Sequence, residues 1–87
     1  LRIAQIYEQK KQFDLALSYY NKILTDHADG IFVDEALYFS AEIYRKELKQ
    51  PEKAKPLYER MVLNHPDSIY FTNSRINFRI LRGDAAF

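Results

Sequence analysis

The chain has no cysteine and no tryptophan, only two glycines and three prolines, and a formal net charge of +1 across 87 residues. Each shortage excludes something. Without cysteine there is neither a disulfide framework nor a thiolate metal site. The near-zero charge removes the electrostatic case for nucleic acid or an anionic membrane as partner. No apolar run approaches the roughly 18 residues that a membrane-spanning helix needs. The scarcity of glycine and proline leaves few chain breaks, and those few are legible. What is present is an apolar content of 47%, with seven Tyr and six Phe. That is enough for one small packed domain whose wide inter-helix gaps are filled by rings.

The chain also repeats itself. A shift of 38 residues places Ala16, Tyr20, Ile23, Leu24 and His27 on Ala54, Tyr58, Met61, Val62 and His65. A shift of 37 places Ala4, Ile6 and Tyr7 on Ala41, Ile43 and Tyr44. A fixed period of this length signals a stacked-repeat architecture, which works by presenting a surface. The one-residue mismatch falls between Tyr44 and Ala54, so the second repeat carries one extra residue in its internal turn.

Hydrophobic spacing predicts five helices, over about residues 1–10, 14–26, 32–49, 50–64 and 69–82. Ala16, Leu17, Tyr20, Ile23 and Leu24 make one buried stripe on the second. The third has two stripes, Val33, Ala36, Leu37, Ser40, Ala41 and Tyr44 beside Phe32, Phe39 and Ile43, as an interior helix would. Glu42 and Lys46 are four apart on its outer side and read as an exposed pair. Asp29-Gly30 marks a turn. Pro51 suits a first helical position, and Pro56 a slight bend. Asp67 or Ser68 is the expected cap of the fifth helix, and Gly83 its left-handed terminator. Short connections make neighbouring helices antiparallel.

These helix pairs resemble the tetratricopeptide repeat, whose pattern is W-x2-L-G-x2-Y, then A-x3-F, then P. Leu37, Ala41, Tyr44, Ala54, Tyr58 and Pro66 carry the likeness in the second repeat. Ala4, Tyr7, Ala16 and Tyr20 carry it in the first, with Ala28 in place of the proline. The resemblance implies an all-α, right-handed superhelix of antiparallel helix pairs: a repeat at 1–29 truncated at its start, a repeat at 30–66, and a C-terminal capping helix and tail at 67–87. The period exceeds the family's usual value of about 34 residues. With Asp67-Ser68-Ile69-Tyr70, this length looks like bacterial cell-envelope members and implies a periplasmic or envelope setting. Leu1, with no Met before it, reads as the inside of a helix, hence as the start of a C-terminal fragment of a larger protein.

By the same resemblance, the first helix of each pair lines a concave surface that binds a protein or peptide. Gln5, Glu8 and Gln9 would contribute from the first repeat. Glu35, Tyr38, Glu42 and Arg45 would contribute from the second, and Asn73, Ile76 and Asn77 from the last helix. The Lys/Asn/Arg clamp by which some members hold a C-terminal carboxylate has no counterpart. Glu42 on that surface implies a peptide bearing Lys or Arg instead. Arg75, Arg79 and Arg82 suit a solvated capping face. The alternative is self-association, a homodimer through apolar surface on Leu1, Ile3, Ile6 and Tyr7.

Other constellations carry less. His27 and His65 lie one repeat apart, which separates them and speaks for helix C-termini over a metal site. Asp34-Glu35 lacks the nucleophile and base that catalysis requires. Arg82-Gly83-Asp84 matches an adhesion tripeptide, but Gly83 already has a helix-ending role. No metal, cofactor or catalytic residue is expected.

Overall fold

A computed structural model describes residues 2–26 and 32–83. Its five helices are α1 (Arg2–Gln9), α2 (Phe13–Asp26), α3 (Val33–Glu42), α4 (Pro51–Asn64) and α5 (Phe71–Arg82). A π-helical turn, Ile43–Glu47, continues α3. No strand occurs among the described residues. Each helix packs on its neighbour in sequence, which gives an all-α helical repeat fold. The Asp29-Gly30 turn, Ala28, His27, Leu1 and Asp84 lie outside the described residues.

The core forms where small residues let helices approach closely. Ala4, Ala16, Tyr20, Ala36 and Ile43 are buried together, joining α1, α2 and α3. Val33, Leu37 and Met61 form a second cluster, and Ala41, Ala54 and Tyr58 a third, both between α3 and α4. Helix α3 is thus covered on two sides, as its two apolar stripes imply. In α5, Ser74 is buried, Phe71, Phe78 and Leu81 are half-buried, and Arg75, Arg79 and Arg82 are exposed. Those arginines occupy, at a shift of 38, the positions of Leu37, Ala41 and Tyr44, which α4 covers in the second repeat.

The extra residue of the second repeat sits in the π-helical turn. In the first repeat the Lys10 N–H donates to the Ile6 carbonyl at 3.1 Å, an α-helical span. The corresponding bond in the second repeat runs from the Leu48 N–H to the Ile43 carbonyl at 3.0 Å, one residue longer. The turns then close alike. The Gln12 N–H donates to the Tyr7 carbonyl at 2.8 Å, and the Gln50 N–H to the Tyr44 carbonyl at 2.7 Å. Lys11 (φ 60°) and Lys49 (φ 55°) hold the same left-handed position in the two turns. A π turn is how a helix absorbs one surplus residue without changing its ends.

Helix ends follow the sequence with one correction. Pro51 is at the first position of α4, Pro56 lies inside it, and Gly83 ends α5 at φ 97°. His65 follows α4 and pairs through Nδ1 with Asp34 Oδ1 at 2.9 Å, tying the end of α4 to the start of α3. Neither Asp67 nor Ser68 caps α5, which starts two residues later than expected, after Tyr70. Ser68 Oγ accepts the Tyr70 N–H at 3.1 Å and its carbonyl accepts the Phe71 N–H at 3.1 Å, so Ser68 closes the preceding turn.

Among the described residues, the buried Ser74 Oγ has no hydrogen-bond partner. Its counterpart one repeat earlier is Ala36. Burial of an unbonded hydroxyl costs about 1–3 kcal/mol, so Ser74→Ala should raise unfolding free energy by roughly 1 kcal/mol. Urea denaturation checks this; a loss of stability would mean that the hydroxyl is engaged after all.

Candidate functional site

Tyr20 and Tyr58 are fully buried at the two close helix crossings. A buried phenol must find a partner for its O–H, and in both repeats the partner comes from the end of the preceding helix. Tyr20 donates to the Glu8 carboxylate. Tyr58 donates to Glu42 Oε1 at 2.7 Å and accepts from Arg45 Nε at 3.1 Å. Burial first, then the adjoining carboxylate, raises the pKa of Tyr20. Burial raises that of Tyr58, with Arg45 opposing and Glu42 adding to it.

Glu42 is the centre of the larger network. Its carboxylate also receives Arg45 Nη2 at 3.0 Å and Lys46 Nζ at 2.9 Å, and its side chain is only 12% exposed. This corrects the reading of Glu42 and Lys46 as an exposed pair. Lys46 is open, but Glu42 is held by three donors and has no free charge to offer a ligand. Burial alone would push its pKa up. Hydrogen bonds from Lys46, Tyr58 and Arg45 outweigh burial and hold it below the ordinary carboxylate value. Glu8 behaves in the opposite way. Burial raises its pKa, the Tyr20 bond lowers it less, and repulsion from Glu47 adds to the rise.

Between α1 and the end of α3 lies a groove of about 280 Å³ lined by Glu8, Tyr38, Phe39, Glu42, Ile43, Lys46 and Glu47. Three of the sequence-derived site residues, Glu8, Tyr38 and Glu42, therefore meet there, with Arg45 bound to the back of Glu42. Tyr38 is not a free ring. It stacks on Tyr70 at 4.6 Å and meets Phe39 and Tyr58 edge-on at 5.7 and 6.4 Å. Gln5 and Gln9 are exposed on α1, Glu35 is half-buried on α3, Asn73 and Ile76 are exposed on α5, and Asn77 is half-buried there. None of these six lines the groove. Phe39, Ile43, Lys46 and Glu47 do, and sequence reasoning did not name them as site residues. The 37-versus-38 mismatch was the only signal that something unusual occupied residues 45–49.

Two other surfaces stand out. A crevice of about 330 Å³ runs between α2 and α4, with Leu17, Leu24, Tyr44, Pro56 and Leu57 among its lining residues. At the other end, Ile3, Ile6, Leu15 and Tyr19 are exposed, and Tyr19 stacks on Tyr7 at 5.6 Å. No group of three His, Asp or Glu with metal-binding geometry occurs among the described residues, and no helix is long and apolar enough to cross a membrane.

Two family models described as the tetratricopeptide repeat match the chain, one over residues 35–68 and the other over residues 1–25. No curated protein and no solved structure matches it significantly. Repeats of this type generally mediate protein–protein interaction, and the family is typically non-catalytic.

The pKa directions fix a pH response. Glu42 has a folded-state pKa below its unfolded value, so its stabilisation is present above the ordinary carboxylate pKa and lost as pH falls through the folded value. Glu8 has the reverse shift, so its contribution is present at low pH and is lost as pH rises. Denaturation curves from about pH 6 to about pH 3 should therefore fall less steeply for Glu42→Gln and more steeply for Glu8→Gln than for the wild type. A Glu42→Gln curve parallel to the wild type would contradict the network.

Proposed function

We propose that this chain, which belongs to the tetratricopeptide-repeat family, is a non-catalytic module that holds a protein or peptide segment along the face of its first-of-pair helices. One observation carries the reading: the groove between α1 and α3 is locked before any partner arrives. Tyr38 is fixed by stacking on Tyr70, and Glu42 by Tyr58, Arg45 and Lys46. A surface with its side chains already ordered costs little further entropy on binding. Gln5, Glu8 and Gln9 form one end of this face. Glu35, Tyr38, Glu42 and Arg45 form its middle, and Asn73 and Asn77 its far end. Glu42 and Arg45 act as supports and leave direct contact to their neighbours. Helix α5 closes the stack, its arginines replacing the residues on which a further helix would pack.

A second reading rests on the exposed face of α1 and α2. At the repeat shifts, Ile3, Ile6, Leu15 and Tyr19 correspond to Ser40, Ile43, Lys53 and Leu57. Ile43 is buried in the core shared with α2, and the other three line the crevice facing Leu17, Asn21 and Leu24. The exposed set thus has the form of an inter-repeat interface, and a second copy of the chain is the occupant in this reading.

The readings separate experimentally. In a peptide array, Gln5→Ala/Asn73→Ala should weaken capture by about fivefold, or roughly 1 kcal/mol, with the melting temperature unchanged. Unchanged capture would remove the assigned face. Sedimentation equilibrium at micromolar concentration should show a monomer. A dimer abolished by Ile6→Glu would favour self-association.

A further inference from the structure

We propose that the groove between α1 and the π-helical turn is a receptor for an arginine side chain of the partner segment, its guanidinium lying between Glu8 and Glu47 against the rings of Tyr38 and Phe39. This rests on the reading of that face as the binding surface and names the chemistry of what it takes.

The groove has already used part of its charge. Arg45 and Lys46, the cations beside it, both bind Glu42. With that pair of cations set against Glu8, Glu42 and Glu47, the groove retains one negative charge in a chain whose net charge is +1. The two acids left over stand on different elements, Glu8 on α1 and Glu47 on the π-helical turn. Among the described residues Glu8 has the neutral Tyr20 hydroxyl as its one hydrogen-bond partner. Glu47 repels the Glu8 carboxylate, and among the described residues neither acid forms an ion pair. An occupant that is neutral or anionic leaves this repulsion in place; a cation relieves it.

The backbone points to the same place. Counted from the Ile43 carbonyl, Glu47 is the surplus residue that the first repeat lacks between Ile6 and Lys10. The π turn thus carries a further carboxylate to the groove, beside Glu8 and Glu42. π turns of this kind recur at functional positions. In the first repeat the residues at this point, Gln9 and Lys10, supply no carboxylate.

Aromatic lining selects the kind of cation. A guanidinium is planar, weakly hydrated and suited to stacking on rings while its edge donors reach two carboxylates; an ammonium is a strongly hydrated point charge. A volume of about 280 Å³ accommodates the side chain.

The test is an amide chemical-shift titration of the chain with the probe acetyl-Gly-Arg-Gly-amide and its neutral isostere acetyl-Gly-citrulline-Gly-amide. The expected result is saturable shifts at Glu8, Phe39 and residues 43–48 with the arginine probe. Citrulline should bind at least about fivefold more weakly, as loss of a charge-assisted contact implies. Glu47→Gln, an exposed change, should remove the discrimination between the two probes. Equal binding of both probes in the groove would overturn the arginine assignment while leaving the peptide-binding face intact. Shifts confined to the α2–α4 crevice, or no shifts at all, would overturn the assignment and count against that face as well.

Discussion

A tyrosine hydroxyl buried where two helices cross has to be hydrogen-bonded, and the rest of this molecule is arranged around meeting that demand twice. Ala4 with Ala16, and Ala41 with Ala54, bring the helices of each pair close enough for one ring to fill the remaining gap. Tyr20 and Tyr58 are those rings. Leaving either hydroxyl unbonded would cost about 1–3 kcal/mol, a large share of the stability expected of a domain this small. The preceding helix must therefore place a polar group at its own end, facing inward, where the groove begins.

The two repeats meet the demand differently, and the difference bears on function. The first uses one carboxylate, Glu8, which pairs with no cation among the described residues. The second uses a carboxylate and a guanidinium, Glu42 and Arg45, which neutralise one another as they bind Tyr58. Hydrogen bonds to charged groups contribute about 1.5–3 kcal/mol, and the Glu42 carboxylate, 12% exposed, receives them from Tyr58, Arg45 and Lys46. The groove wall is rigid because it is also the polar lid of a core residue.

Much of this was legible in the sequence. Five helices, the interior position of α3, the small-residue crossings, Gly83 as terminator and the arginines facing outward on α5 all follow from periodicity and repeat equivalence. Other features were not. The chain reverses at Lys11 and Lys49 in a left-handed conformation that sequence rules reserve for glycine, so the turns could be placed but not typed. Ser68 supports the turn before α5 because its hydroxyl reaches the Tyr70 N–H first. Glu42 looked exposed because helical spacing says nothing of Tyr58, sixteen residues away, whose hydroxyl pulls the carboxylate inward. Glu47 was not singled out, and Lys46 only as half of an exposed pair, because a π turn has no residue signature. Only the slip between repeat offsets recorded it.

The Tyr58 hydroxyl and the Glu42 carboxylate act as one unit joining α3 to α4. A double-mutant cycle on Tyr58→Phe and Glu42→Gln, read by urea denaturation at neutral pH, tests it most directly. The expected coupling energy is about 1–3 kcal/mol. Two single changes that add to within about 0.5 kcal/mol would show that the two groups contribute independently and do not form one unit.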